Sequence, residues 1–152
     1  MKNFLKITFS VAMIFLLFGC SKQQSETFIN HYSEVILTQN NELQFRFLLN
    51  EEGFEKNLMY KLRIMIHNQK LASAIGRNEV IYGERSVFNG EYLEVNKNKG
   101  NLIIMEPIPL KKDLHTFELE KLIVNDHAIT VEIYNDDQIL AKAPLTNFFS
   151  RL

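Results

Sequence analysis

The chain has 152 residues, with 17 lysines and arginines against 18 aspartates and glutamates, for a formal net charge of −1. That length suits one domain with a sizeable core, and no basic stripe is present that would suggest nucleic acid as a partner. Apolar residues make up 46% of the chain and include 12 phenylalanines, enough for a packed interior. The single cysteine, Cys20, leaves no disulfide, so the core must stabilise the fold.

Lys2 and Lys6 lead into an apolar run from Ile7 to Phe18, and nothing acidic appears before Glu26. A basic segment followed by a short apolar one is the layout of a secretory signal peptide. The run falls well short of the ~20 apolar residues that a spanning helix needs. It ends in Leu17-Phe18-Gly19-Cys20, which resembles the lipobox of bacterial lipoproteins. The resemblance implies that the chain is cut before Cys20, that the Cys20 sulfur is diacylated and that the new amine is acylated, making membrane lipid the first partner. The alternative is an ordinary signal with a cysteine nearby by chance. Several acyl chains anchor a protein stably, at roughly 0.8 kcal/mol per buried methylene. Ser21 stands where an aspartate would favour inner-membrane retention, so the expected location is the outer membrane, facing the periplasm. In a Gram-positive cell it would be the outer face of the cytoplasmic membrane. The organisation read from this is a leader at 1–19, a lipidated tether at 20–26 and a domain at 27–152.

The domain opens at 27–36, where apolar spacing suits a short helical segment and "EVILT" suits a strand; a helical turn followed by a strand is expected. From Glu42 onward the pattern is mostly period two. Leu43, Phe45 and Phe47 share one face, with Gln44 and Arg46 on the other. Tyr60, Leu62, Ile64 and Ile66 point inward, while Lys61, Arg63, Met65 and His67 point outward. Asn68-Gln69-Lys70 reads as a turn into a partner strand at 71–75. Phe88-Asn89-Gly90-Glu91 carries the signature of a type I′ hairpin turn, whose two central residues need positive φ. Residues 97–101 form another turn, and 102–105 read as a buried strand ended by Pro107 and Pro109. Strands are expected over 116–124 and 128–134, then a turn at 135–138 and a strand at 139–145. Pro144 there suits an edge, where no ladder donor is needed. The tail from Leu145 has apolar residues at helical spacing and is expected to cap the core. Short strands separated by turn residues at this spacing predict an all-β fold, a small two-sheet β-sandwich with a short N-terminal helical segment.

Little chemistry stands out. His31, His67, His115 and His127 lack metal-ligand spacing, and there is no nucleophile elbow or phosphate-binding glycine loop. No cofactor, metal or catalytic residue is expected, and an enzyme is the least favoured class. Arg46, Lys61 and Arg63 form either a solvated face paired with nearby acids or a patch for an acidic partner.

Three stretches are similar to the type VI secretion outer-membrane lipoprotein family, called TssJ or SciN. The first is Leu49-Asn50, a loop, and then Tyr60-Lys61-Leu62-Arg63-Ile64-Met65. The second is 109–119, and the third is Ile129 to Asp136 with the strand that follows. The resemblance implies a transthyretin-like sandwich, related in architecture to immunoglobulin domains. It also implies a non-enzymatic adaptor that holds the periplasmic part of the inner-membrane protein TssM through the loop between the family's first two strands. Here that loop is Asn50 to Met59, with Glu51, Glu52, Phe54, Glu55 and Lys56 as the partner-binding candidates. An aromatic anchor among charges suits recognition; a Phe54 folded back on the core is the opposing reading. The other binding class is a general lipoprotein (a pilotin-like chaperone, assembly factor or small-ligand carrier), which an apolar pocket between the sheets would favour.

Overall fold

Alternation of apolar and polar residues organises the molecule into two facing sheets. The computed structural model describes residues 32–151; the expected leader and tether, Cys20, His31 and the expected helical turn before the first strand lie outside them. The first sheet contains β1 (Tyr32–Leu37), β2 (Glu42–Leu48), β6 (Leu102–Ile104), β7 (Ile108–Pro109) and β10 (Phe148–Ser150). Its order is β10-β1-β2-β6, with β7 also pairing with β2. The second contains β3 (Met59–Ile66), β4 (Glu79–Ile81), β5 (Leu93–Glu94), β8 (Ile129–Tyr134) and β9 (Ile139–Pro144). Its order is β4-β3-β8-β9, with β5 also pairing with β3. The expected two-sheet sandwich is therefore the observed architecture.

β2 and β3 form the centre of the core. Leu43, Phe45 and Phe47 of β2 and Tyr60, Leu62 and Ile64 of β3 are all fully buried, because period-two side chains on facing sheets interdigitate in the space between them. β9 lies at the edge of its sheet, with Pro144 opposite Thr130, so the missing proline N–H costs no ladder bond.

Two expected strands are helices. Residues Gln69–Ile75 form α1. The Asn68 side chain caps it by accepting from the Lys70 and Leu71 amides at 2.9 and 3.1 Å. Gly76 ends it at φ 85°, with its N–H donating to the Ala72 carbonyl, a left-handed stop that glycine adopts without strain. Leu71, Ala74 and Ile75 are buried, one helical face at i, i+3 and i+4. Residues Thr116–Glu120 form α2, which continues as a π-helical turn over Lys121–Asn125. Its buried set is Leu119, Leu122 and Ile123, while Phe117 is 71% exposed. A strand is expected over 116–124, but the cap decides for a helix: His115 Nδ1 accepts from the Phe117 amide.

Three further expectations change. The tail is not helical: β10 runs parallel to β1, with Val35 opposite Phe148 and Ile36 opposite Phe149, because the β1 edge offers unpaired backbone groups. It nonetheless helps to close the core, with Leu145 fully buried and Phe148 packed against it. β6 is half-buried, with Ile103 inward and Leu102 and Ile104 outward at 69% and 53% exposure. Asn89 and Gly90 do take the positive φ expected of the turn, 64° and 88°. They close a loop in which Glu91 N–H donates to the Tyr82 carbonyl at 2.9 Å, instead of joining two mutually paired strands; β4 and β5 both pair with β3. Asn135 organises the expected turn at 135–138, its side-chain oxygen accepting from the amides of Asp137 and Gln138.

Candidate functional site: the loop from Asn50 to Met59

The loop that links the two sheets, from β2 to β3, is built around a buried acid. Glu51 is 1% exposed. Its Oε1 accepts from the Tyr60 hydroxyl and, at 2.9 Å, from Asn101 Nδ2. Its Oε2 accepts from the Asn96 amide at 2.6 Å. Asn101 Nδ2 also lies within donating distance of the Tyr60 oxygen at 3.0 Å and the Glu94 carbonyl at 2.8 Å. One side chain thus joins the loop, the start of β3 and the 95–101 turn. Among the described residues no buried side-chain polar atom lacks a partner, which is what burial of polar groups demands. Burial pushes the Tyr60 phenol above its ordinary range; the Asn101 contact opposes this and Glu51 adds to it, so Tyr60 stays a neutral donor.

The backbone is equally constrained. Phe54 N–H donates to the Glu51 carbonyl at 3.1 Å, and Leu58 pairs with both Glu55 and Val95. Glu52 N–H donates to Asn50 Oδ1, and Asn57 takes φ 65°. Phe54 is 8% exposed with its ring centroid 6.0 Å from that of Tyr60. Of the candidate binding residues, Glu51 and Phe54 are therefore interior supports. Glu52, Glu55 and Lys56 are exposed and form the chemistry the loop presents. The sequence marked this loop but not Glu51's role, because Asn-Glu-Glu-Gly reads as an ordinary polar turn.

The three basic candidates do not form a patch. Arg46 lies on β2 in one sheet and Lys61 and Arg63 on β3 in the other. Arg46 pairs with Glu34 at 3.7 Å, and the Lys61 ammonium sits 4.3 Å from the centre of the Tyr92 ring. Arg63 stands opposite Glu132, which stands opposite Lys142. Glu132 receives Arg63 at 2.7 Å and Lys142 at 2.9 Å and is 3% exposed. Burial acts most strongly on this carboxyl and raises its pKa. The hydrogen bonds and charges of Lys142 and Arg63 together outweigh burial and hold it below the usual value of 4.5. Arg46 and Arg63 are thus paired with nearby acids, while Lys61 packs on an aromatic ring. Glu132 could have been noticed as the only charge in "AITVEIY".

A cleft of about 220 Å³ opens where β4 faces β6 and β7 between the sheets. Val80, Met105 and Ile108 line its buried side, and Ile104 and the Arg85–Glu106 ion pair stand at its rim. Among the described residues no cluster of His, Cys, Asp or Glu is arranged to hold a metal, and no helix is long and apolar enough to cross a membrane. His67 Nε2 pairs with Thr130 Oγ1 at 2.8 Å, and His115 caps α2. No family model matches the chain, and no curated protein or solved structure matches it significantly.

Two outcomes follow from these clusters. Glu51→Gln places an amide donor against either the Asn96 N–H or the Tyr60–Asn101 pair, so it should lose roughly 2 kcal/mol, the scale of one orphaned buried group, and lower the urea midpoint; an unchanged midpoint contradicts the assignment. For Glu132, a folded pKa below the unfolded value means that its stabilisation is present above the usual carboxyl range and is lost as pH falls through the folded value. The midpoint difference between the wild-type chain and Glu132→Gln should therefore be largest near neutral pH and shrink below about pH 4.5; a pH-independent difference would refute the linkage.

Proposed function

We propose that the protein is a non-catalytic adaptor, anchored in the outer membrane through acylated Cys20, that binds a protein partner in the periplasm with the loop from Asn50 to Met59. The observation that carries this reading is the pre-organisation of that loop: a buried Glu51 fixes it and Glu52, Glu55 and Lys56 are held outward. A loop already ordered before binding loses less entropy on association. The resemblance to the type VI secretion lipoproteins supplies the partner, the periplasmic part of TssM, and the two-sheet architecture accords with it. Recognition through this loop is polar, because its aromatic is committed to the core.

A second reading has its own observation. The cleft beside β4, β6 and β7 is concave and partly apolar, which suits a carrier of a small amphipathic ligand.

Crosslinking and capture from membranes, using the full lipidated chain tagged at its C-terminus, should recover one large inner-membrane protein. Cys20→Ser should remove the chain from the membrane fraction with its domain still folded. The triple variant Glu52→Lys, Glu55→Lys, Lys56→Glu should lose capture; normal capture by that variant sinks the loop assignment. The carrier reading predicts instead that an apolar fluorescent dye binds the folded chain and is released in Ile104→Glu; no dye binding to either protein removes it.

A further inference from the structure

The strand registers place the tether and the candidate loop at the same end of the sandwich. Tyr32 stands opposite Leu48, and Leu48 opposite Leu102, so three apolar side chains form one row across β1, β2 and β6 on the outer face of the first sheet. Tyr32 and Leu102 are 66% and 69% exposed, and Ile104 on the same face is 53% exposed. The row lies where β2 runs out into the Asn50–Met59 loop. Tyr32 is the first described residue, and the chain preceding it leads back to Cys20. Twelve residues of chain reach at most about 40 Å even when fully extended. Beside the row, the turn before β6 carries Lys97 and Lys99, both exposed, and neither is in an ion pair among the described residues. Glu34, in the next row, is paired with Arg46. The helices α1 and α2 lie at the opposite end, where β3 finishes at Ile66 and β8 begins.

The geometry points to a membrane-resting face: the domain lies against its own bilayer through Tyr32, Leu48, Leu102 and Ile104, with Lys97 and Lys99 on anionic headgroups. This rests on the reading that Cys20 carries the lipid. Apolar and aromatic side chains flanked by lysines suit the boundary between headgroups and acyl chains, and the short tether keeps the row within reach of that boundary. A consequence for the adaptor is orientation. The Asn50–Met59 loop sits close to the membrane and α2 faces away, so a partner must come up to the bilayer to reach the loop.

The test uses the full lipidated chain in vesicles of phosphatidylethanolamine and phosphatidylglycerol. Acylated Cys20 leaves an introduced cysteine as the only free thiol, so a spin label is placed at Leu102→Cys, at Asn98→Cys or, at the far end, at Phe117→Cys. Flotation with the vesicles reads the anchor; collision with oxygen in the lipid against a nickel chelate in the water reads the face. The expected result is flotation in all three, lipid exposure at 102 and 98, and aqueous exposure at 117. Lys97→Gln and Lys99→Gln should each lower the ratio of resting to lifted domain by roughly fivefold on an anionic surface. Flotation with all labels in water, or with 117 as deep as 102, overturns the face and leaves the anchor standing. Failure to float overturns the anchor and the face with it.

Discussion

The buried carboxyl group of Glu51 is the constraint on which the loop end of this molecule depends. A polar side chain at 1% exposure is tolerated only when its oxygens are satisfied, and here three donors from two other segments, the start of β3 and the 95–101 turn, satisfy them. Tyr60 is part of the central core through its ring and part of this cluster through its hydroxyl. The same residue therefore connects hydrophobic packing between the sheets to the shape of the loop above them. Phe54, folded against Tyr60, adds an apolar contact to the same connection. The loop's conformation is thus a property of the core.

Where the chain could be read from its sequence, the physical reason is local. β2 and β3 alternate strictly, and a one-residue slip would put every apolar side chain into water; their inward faces were legible for that reason. Pro144 at an edge, and the turns at 97–101 and 135–138, follow from backbone chemistry that each residue carries alone. The segments at 71–75 and 116–124 were not legible as strands or helices by period, since short apolar runs satisfy both. Their caps decide: Asn68 and Gly76 in one case, His115 in the other. β10 required knowing that β1 would leave an edge open, which no local pattern encodes.

The candidate site was legible only in part. The sequence marked the Asn50–Met59 loop, but Glu51 meets partners 9, 45 and 50 residues away, a convergence that exists only after folding. Its burial divides the candidate residues into supports and presented groups. Glu132 obeys a similar logic on the second sheet, where the strand register sets Arg63 and Lys142 on either side of it. Both acids are buried among partners distant in sequence, yet Glu132 is held by cations on the neighbouring strands and Glu51 by neutral donors.

Glu51 orders the loop end from within, and the Asn96 amide is the group that reports this order. That N–H has the Glu51 carboxyl as its hydrogen-bond acceptor, at 2.6 Å, within an otherwise exposed turn. Native-state hydrogen exchange at Asn96 should show protection approaching that of β3 amides, and Glu51→Ala should abolish it while leaving the far-end amides of α1 protected. Exchange at Asn96 as fast as at its exposed neighbour Asn98 in the unmodified chain would contradict the claim.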